Sequence, residues 1–184
     1  MRKQLMTSSR DDWQTPVPLF KELDAIFKFT LDASATPENT LCKKFLTLDS
    51  RYFYMSEFDA LSENTDWTEL SEGGSIWLNP PYGSRVLKFF EKVKREYDKG
   101  STIVCLVPGR FETRWHKIAW DYARYFLFFD KRLKFELGGI PQGTATFPSE
   151  LIIFSSRRWN LHSLQHLGKI IEQNIATQKE LSTL

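Results

Sequence analysis

A chain of 184 residues is long enough to bury one sizeable core, and 41% hydrophobic, 15% aromatic and 26% charged residues describe a globular protein rich in rings. A formal net charge of +2 excludes capture of nucleic acid by the overall field and leaves that task to a local patch. Two cysteines, Cys42 and Cys105, exclude a disulfide framework and fit a reducing cytoplasm, and neither a signal peptide nor a membrane-spanning run is expected.

Residues 1–12 are polar and are expected to form a flexible N-terminal segment. Thr15 then reads as a helix cap with Pro16 at the first helical position. Leu19, Phe20, Leu23, Ile26 and Phe27 follow at helical spacing. Phe29 to Ala33 is a short apolar run that suits a buried strand, and Pro37 to Phe45 is predicted as a short helix. Between Asp49 and Gly74 the pattern is weak: Tyr52 to Met55 reads as a strand and the rest as loop. Ser75 to Leu78 predicts a strand that feeds into Asn79-Pro80-Pro81-Tyr82-Gly83. Val86, Phe89, Phe90, Val93 and Tyr97 share one face of a helix predicted over Arg85 to Lys99, stopped by Gly100. Thr102 to Val107 is continuously apolar, as a central parallel strand should be. A helix over Glu112 to Ala123 follows, then strands at Tyr125 to Phe129, Leu133 to Glu136 and Leu151 to Ser155. Leu161, Leu164, Leu167, Ile171 and Ile175 lie on one stripe of a closing helix predicted over Asn160 to Leu184.

Strands alternating with helices define an α/β domain, taken as residues 13–159, on a mostly parallel central sheet with an antiparallel edge. Residues 160–184 are then a C-terminal helix beside it. Ligands of such sheets sit outside the carboxyl ends of the strands, where Asp32, Asn79 and Pro108 fall.

The segment Asn79-Pro80-Pro81-Tyr82 carries the most chemistry. Two prolines fix φ twice and remove two N–H donors, so the nearby carbonyls are held without a competing turn. The Asn79 side-chain oxygen and the Pro80 backbone oxygen are two fixed acceptors, which suits an amine on a planar ring. Accepting both N–H groups draws the nitrogen towards tetrahedral geometry and frees its lone pair for in-line attack on a sulfonium methyl. No strong base is needed before attack. Tyr82 offers a flat face on which an extruded base can stack.

Asn79 to Tyr82 matches the (D/N/S)-P-P-(Y/F/W) motif of amino-methyltransferases that modify DNA. Asp11 to Pro16, Phe29 to Asn39, Leu106 to Arg110, Thr113 to His116 and Arg132 to Phe135 resemble, in order, stretches of the phage-type DNA N-6-adenine methyltransferase (Dam) family. The resemblance implies a Rossmann-like class I fold that uses S-adenosylmethionine. It also implies methylation of adenine N6 in double-stranded DNA with base flipping, and work in a phage host's cytoplasm. Trp13, Thr15 and Pro16 then belong to the segment that closes over the cofactor. Asp32, Ala33 and Ser34 stand where many methyltransferases carry a glycine-rich acidic turn, an acid there being able to hold the amino group of the methionine moiety. Asn79 lies at the same cleft, and Asp59 or Asp66 is a candidate for a ribose hydroxyl or the cofactor's adenine amine.

For DNA, the candidates are Arg110, Arg114, Trp115 and His116 after one strand end and Lys131, Arg132, Lys134 and Phe135 after another, with Arg157-Arg158-Trp159 as a further basic segment. Phe135 resembles a family position near the flipped base. No metal is expected: His162 and His166 are four apart without a third ligand at suitable spacing. Competing readings are methylation of cytosine N4 or of an RNA or protein amide, and a catalytically silent nucleic-acid-binding protein of the same fold. The recognition sequence and oligomeric state stay open at this level.

Overall fold

A computed structural model describes residues 13–52, 59–137 and 140–175. The predicted segment 1–12 and the reading of Phe53 to Met55 as strand lie outside them, and Tyr52 ends a one-turn 3-10 helix, Ser50–Tyr52.

The chain opens with α1 (Val17–Phe27), whose Leu19, Phe20, Leu23 and Phe27 are buried at helical spacing. Its cap is Pro16 rather than Thr15, with no side-chain cap hydrogen bond, because the Thr15 hydroxyl is engaged with the Asn79 amide. Lys28 takes a left-handed φ of 57° and turns the chain into β1 (Phe29–Asp32). The helix predicted over Pro37 to Phe45 is absent. Its polar start offers no apolar face to bury, so the chain makes a turn at 36–39, with the Asn39 side chain accepting from Thr36 N at 2.7 Å. It then forms the two-residue strand β2 (Lys44–Phe45), paired parallel to β1.

The short helix α2 (Trp67–Leu70) follows, with the fully buried Trp67 donating its indole N–H to Ala60 O. After it come β3 (Ser75–Leu78), α3 (Val86–Asp98), β4 (Ile103–Pro108), α4 (Arg114–Tyr122) and β5 (Tyr125–Phe129). Gly100, at φ +105°, permits the turn after α3. A small antiparallel hairpin, β6 (Glu136–Leu137) with β7 (Ile140–Pro141), stands apart from the main sheet. The strand predicted over Leu133 to Glu136 therefore shrinks to its last residue plus Leu137.

The main sheet is completed by β8 (Ser149–Phe154) and β9 (Gly168–Glu172), in the order β2-β1-β3-β4-β8-β5-β9. Pairs from β2 through β4 are parallel; β8 runs antiparallel between β4 and β5, and β9 runs antiparallel along β5. So β8 lies inside the sheet, and the antiparallel edge is β9, built from residues predicted as helix. Gly168 accounts for that reversal. A Cβ there would lie 1.9 Å from the Phe128 carbonyl oxygen, so only glycine allows the close approach of β9 to β5. Leu161 and Leu164 are buried as the stripe required, but around a short 3-10 turn, His162–Leu164. Residues 176–184 lie outside the described residues.

Alternation along the strands divides the core in two. Ile76, Leu78, Ile103, Cys105 and Val107 face α3 and α4, where Phe89, Phe90 and Trp115 cover them. Trp77, Val104 and Leu106 face the other way, towards α1 and the segment with Leu161 and Leu164. Helices on both faces of an open sheet leave one rim for chemistry, where β1 and β3 end in Asp32 and Leu78-Asn79.

Candidate active site

Asn79 leaves β3 half-buried, and its amide is fixed from both ends. Nδ2 donates to Trp13 O at 2.8 Å and to Thr15 Oγ1 at 3.2 Å. A backbone carbonyl can only accept, so the amide end facing Trp13 must be the NH₂. Oδ1 is therefore directed the other way, where it accepts from the Tyr82 hydroxyl at 2.8 Å. Burial pushes the Tyr82 phenol well above its usual range, so it stays protonated and remains a donor. Its ring stands edge-on to Phe147 at 5.6 Å and to Phe135 at 6.0 Å. Phe135 in turn meets Trp13 at 5.8 Å. The Asn-Pro-Pro-Tyr corner is thus wedged between the entry segment and an aromatic cluster.

The entry segment is also tied to the hairpin. Gln14 and Glu136 exchange backbone hydrogen bonds at 3.1 and 3.0 Å, and the Glu136 carboxylate accepts from Val17 N at 3.2 Å. Trp13 and Thr15 consequently lie across the end of β3.

Under them runs a cleft whose walls include Trp13, Thr15, Asp32, Ser34, Asn79 and Pro81. Five of the residues expected at a cofactor, Trp13, Thr15, Asp32, Ser34 and Asn79, are brought together there. Asp32 is 3% exposed and accepts from Ser34 N and Leu41 N, both at 3.3 Å. Desolvation outweighs those two N–H groups and raises its carboxyl to a pKa of about 6. A buried carboxylate with no cation against it among the described residues suits a ligand's ammonium group, since that charge offsets the desolvation.

Four residues expected at the cofactor do not line this cleft. Pro16 caps α1, and fully buried Ala33 donates its N–H to Trp77 O at 2.9 Å inside the sheet. Asp59 accepts from Leu61 N at 2.8 Å and forms a β-bridge with Thr47; Thr47 is in the cleft wall, but Asp59 is not. Asp66 caps α2 and pairs with Lys99 at 2.9 Å; the Glu69 N–H and that ammonium lower its pKa. Besides Asp32, the acid that lines the cleft is Asp49, four residues after β2, where Arg51 Nε donates to it at 2.9 Å. Sequence reasoning missed it because β2 has two residues and lay inside a predicted helix.

On the DNA side, Arg110, Arg114, Lys131, Arg132 and Lys134 are exposed. Arg132 Nη1 also donates to the carbonyls of Ala145, at 3.3 Å, and Thr146. Trp115 is 7% exposed and packs on Phe90 with centroids 4.7 Å apart, so it belongs to the core rather than to a binding surface. His116 is fully buried, its Nε2 3.0 Å from Glu150 Oε1. Phe135 is fully buried behind Tyr82 and reaches the site through the rings of Tyr82 and Trp13. Arg157 lies over the Trp159 ring at 3.7 Å, and His166 pairs with Glu22 at 3.2 Å.

An open, doubly covered α/β sheet that ends its third strand in this corner, beside a buried acidic cleft, has the Rossmann-like fold of the methyltransferases. The chain belongs to the DNA N-6-adenine-methyltransferase (Dam) family, whose profile matches residues 2–166. It is 30% identical over 131 residues to the DNA N-6-adenine-methyltransferase of Escherichia phage T1, covering 71% of this chain and 49% of that one. It is 27% identical over 110 residues to the DNA N-6-adenine-methyltransferase of Haemophilus phage HP1, covering 59% of this chain and 56% of that one. The chain thus spans about half the length of the curated relatives it matches.

Proposed function

We propose that the protein transfers a methyl group from S-adenosylmethionine to N6 of adenine in double-stranded DNA. The observation that carries this is the orientation of Asn79: its NH₂ is held by Trp13 and Thr15, so Oδ1 is presented as an acceptor at the mouth of the Asp32 cleft. One lone pair of Oδ1 takes the Tyr82 hydroxyl, and the second takes an N6–H of adenine. The Pro80 carbonyl takes the other N6–H; it accepts no hydrogen bond among the described residues. Both contacts strengthen as positive charge grows on the nitrogen, so they favour the transition state over the ground state. When bound, S-adenosylmethionine supplies an electrophilic methyl on sulfur. Asp32 would hold its ammonium group, Asp49 would accept from its ribose hydroxyls, and Trp13 would close over it. The Asn79 and Pro80 oxygens would hold N6 in line with that methyl, and the proton that N6 loses after transfer would pass to water.

Tyr82 receives the flipped base, with Phe135 and Phe147 holding its ring upright. Arg110, Arg114, Arg132 and Lys134 meet phosphates along the rim. Both relatives are phage proteins, and this chain is read as acting on DNA in the cytoplasm of a phage host. No helix among the described residues is long and apolar enough to cross a membrane. Incubating the protein with DNA of mixed sequence and methyl-labelled S-adenosylmethionine tests the reading. Label should enter the DNA; cofactor binding by calorimetry with no label in DNA would overturn it.

A further inference from the structure

The hairpin β6–β7 departs from the wall of the catalytic corner and carries an exposed apolar side chain at the start of β7. Ile140 is 66% exposed, the most exposed large hydrophobic residue among those described. Its position is tightly referenced to the site. Leu137 pairs with Ile140 across the hairpin, Glu136 pairs with Gln14, and Phe135, one residue earlier, packs on Trp13 and Tyr82. Gln142 N closes the base of the hairpin on Phe135 O at 2.7 Å. The segment that leads into it presents Lys131, Arg132 and Lys134 to solvent, while the acid within it, Glu136, is bound to Val17 N. An exposed apolar side chain on a basic stem, anchored through Phe135 and Glu136 beside the Asn-Pro-Pro-Tyr corner, has the chemistry of a side chain that enters a base stack.

We propose that the β6–β7 hairpin is a wedge for duplex DNA, with Ile140 entering the stack and occupying the space that the extruded adenine leaves. This rests on the reading of DNA as substrate. Extruding a base from a duplex gives up its pairing and stacking, and an apolar group that fills the gap recovers part of that cost. A single strand has no gap to fill. Ile140 therefore matters for duplex substrate and not for single-stranded substrate, whereas the groups that act on the amine matter for both.

The test compares label transfer into one mixed-sequence DNA, as duplex and after denaturation, for the parent, Ile140→Ser and Ile140→Leu. Because Ile140 is exposed, neither change threatens the core. Ile140→Ser should lower kcat/KM on duplex by about 10-fold and change it on single strands by less than about 2-fold. Ile140→Leu should restore most of the duplex rate. Equal losses on both substrates, or no loss on duplex, would overturn the wedge while leaving DNA methylation standing. A change of oligomeric state in sedimentation with an unaltered duplex rate would assign the hairpin to self-association and overturn it as well. No label in either DNA with the parent would overturn the reading of DNA as substrate, and the wedge with it.

Discussion

Asn79 shows how much of a catalytic group's work lies in its orientation. A free amide turns over readily, and the wrong end presents donors to an amine that needs acceptors. Trp13 O and Thr15 Oγ1 prevent this from a segment 64 to 66 residues earlier in the chain. Thr15→Val should therefore lower turnover by about 10-fold with little change in S-adenosylmethionine affinity, as expected when a preorganised polar contact is loosened rather than removed. Asn79→Ala should cost roughly 10²-fold or more in turnover. Single-turnover kinetics beside calorimetry checks both; Thr15→Val acting only on cofactor affinity would contradict the positioning role. The sequence singles out Thr15, Asn79 and Tyr82 but not the hydrogen bonds among them, and it reads Thr15 both as a helix cap and as part of the cofactor segment.

Asp32 couples the site to stability. Its carboxyl sits at a pKa of about 6 against an ordinary 3.8. Below pH 3.8 the acid is protonated in both folded and unfolded chains. As pH rises towards 6 the unfolded chain releases the proton first, so the folded state loses stability over that window, by up to about 3 kcal/mol, and no more above it. Asp32→Asn should remove that loss: in the absence of cofactor the variant should melt higher than the parent at pH 7.5, with the difference closing towards pH 4. The same change should weaken S-adenosylmethionine by about 1.5–3 kcal/mol through loss of a charge-assisted contact. Thermal melts across pH, with calorimetry, read both. A variant that is less stable at every pH would show that the carboxylate is satisfied within the protein.

At the scale of elements, the long periodic segments were readable and the short ones were not. Helices α1, α3 and α4 and strands β3, β4 and β5 fall within a few residues of their predicted bounds because each carries a full apolar stripe or run. Strand β2 has two residues, too few for any period, and it is held by pairing with Leu31 and Asp32 rather than by its own pattern. The residues of β9 satisfy a helical stripe equally well, and the outcome is decided by the bare β5 edge and by the room that Gly168 leaves. Trp115 illustrates the same limit, since a tryptophan among basic residues reads as a DNA contact until its helix is seen to face the sheet. Trp115→Ala should destabilise the fold by about 3–5 kcal/mol, as expected of a core aromatic. Denaturant unfolding measures it, and an unchanged midpoint with weakened DNA binding would return Trp115 to the interface. In the basic segment, Lys134→Ala should lower the slope of log DNA affinity against log salt by about 1 unit, for all sequences alike. Arg132 also ties two loop carbonyls, so Arg132→Ala should loosen the segment as well.

For the whole molecule, strands alternating with helices were enough to read an α/β domain on a mostly parallel sheet and to expect Asp32, Asn79 and Pro108 along one rim. Insertion of β8 between β4 and β5 was not visible, because it depends on which strands meet rather than on any local pattern. Nor was the clasp of Gln14 on Glu136, whose partners are 122 residues apart in the numbering of the chain. That clasp makes the entry segment, the Asn-Pro-Pro-Tyr corner and the hairpin one unit, so the groups proposed to hold the amine and those proposed to meet DNA are placed together. The most direct test of the chemistry at that unit is the identity of the methylated nucleoside. DNA of mixed sequence, treated with the protein and methyl-labelled S-adenosylmethionine, digested and resolved by mass spectrometry, should yield labelled N6-methyladenine with the parent and little with Asn79→Ala. Label recovered as N4-methylcytosine, or N6-methyladenine formed equally well by Asn79→Ala, would contradict it.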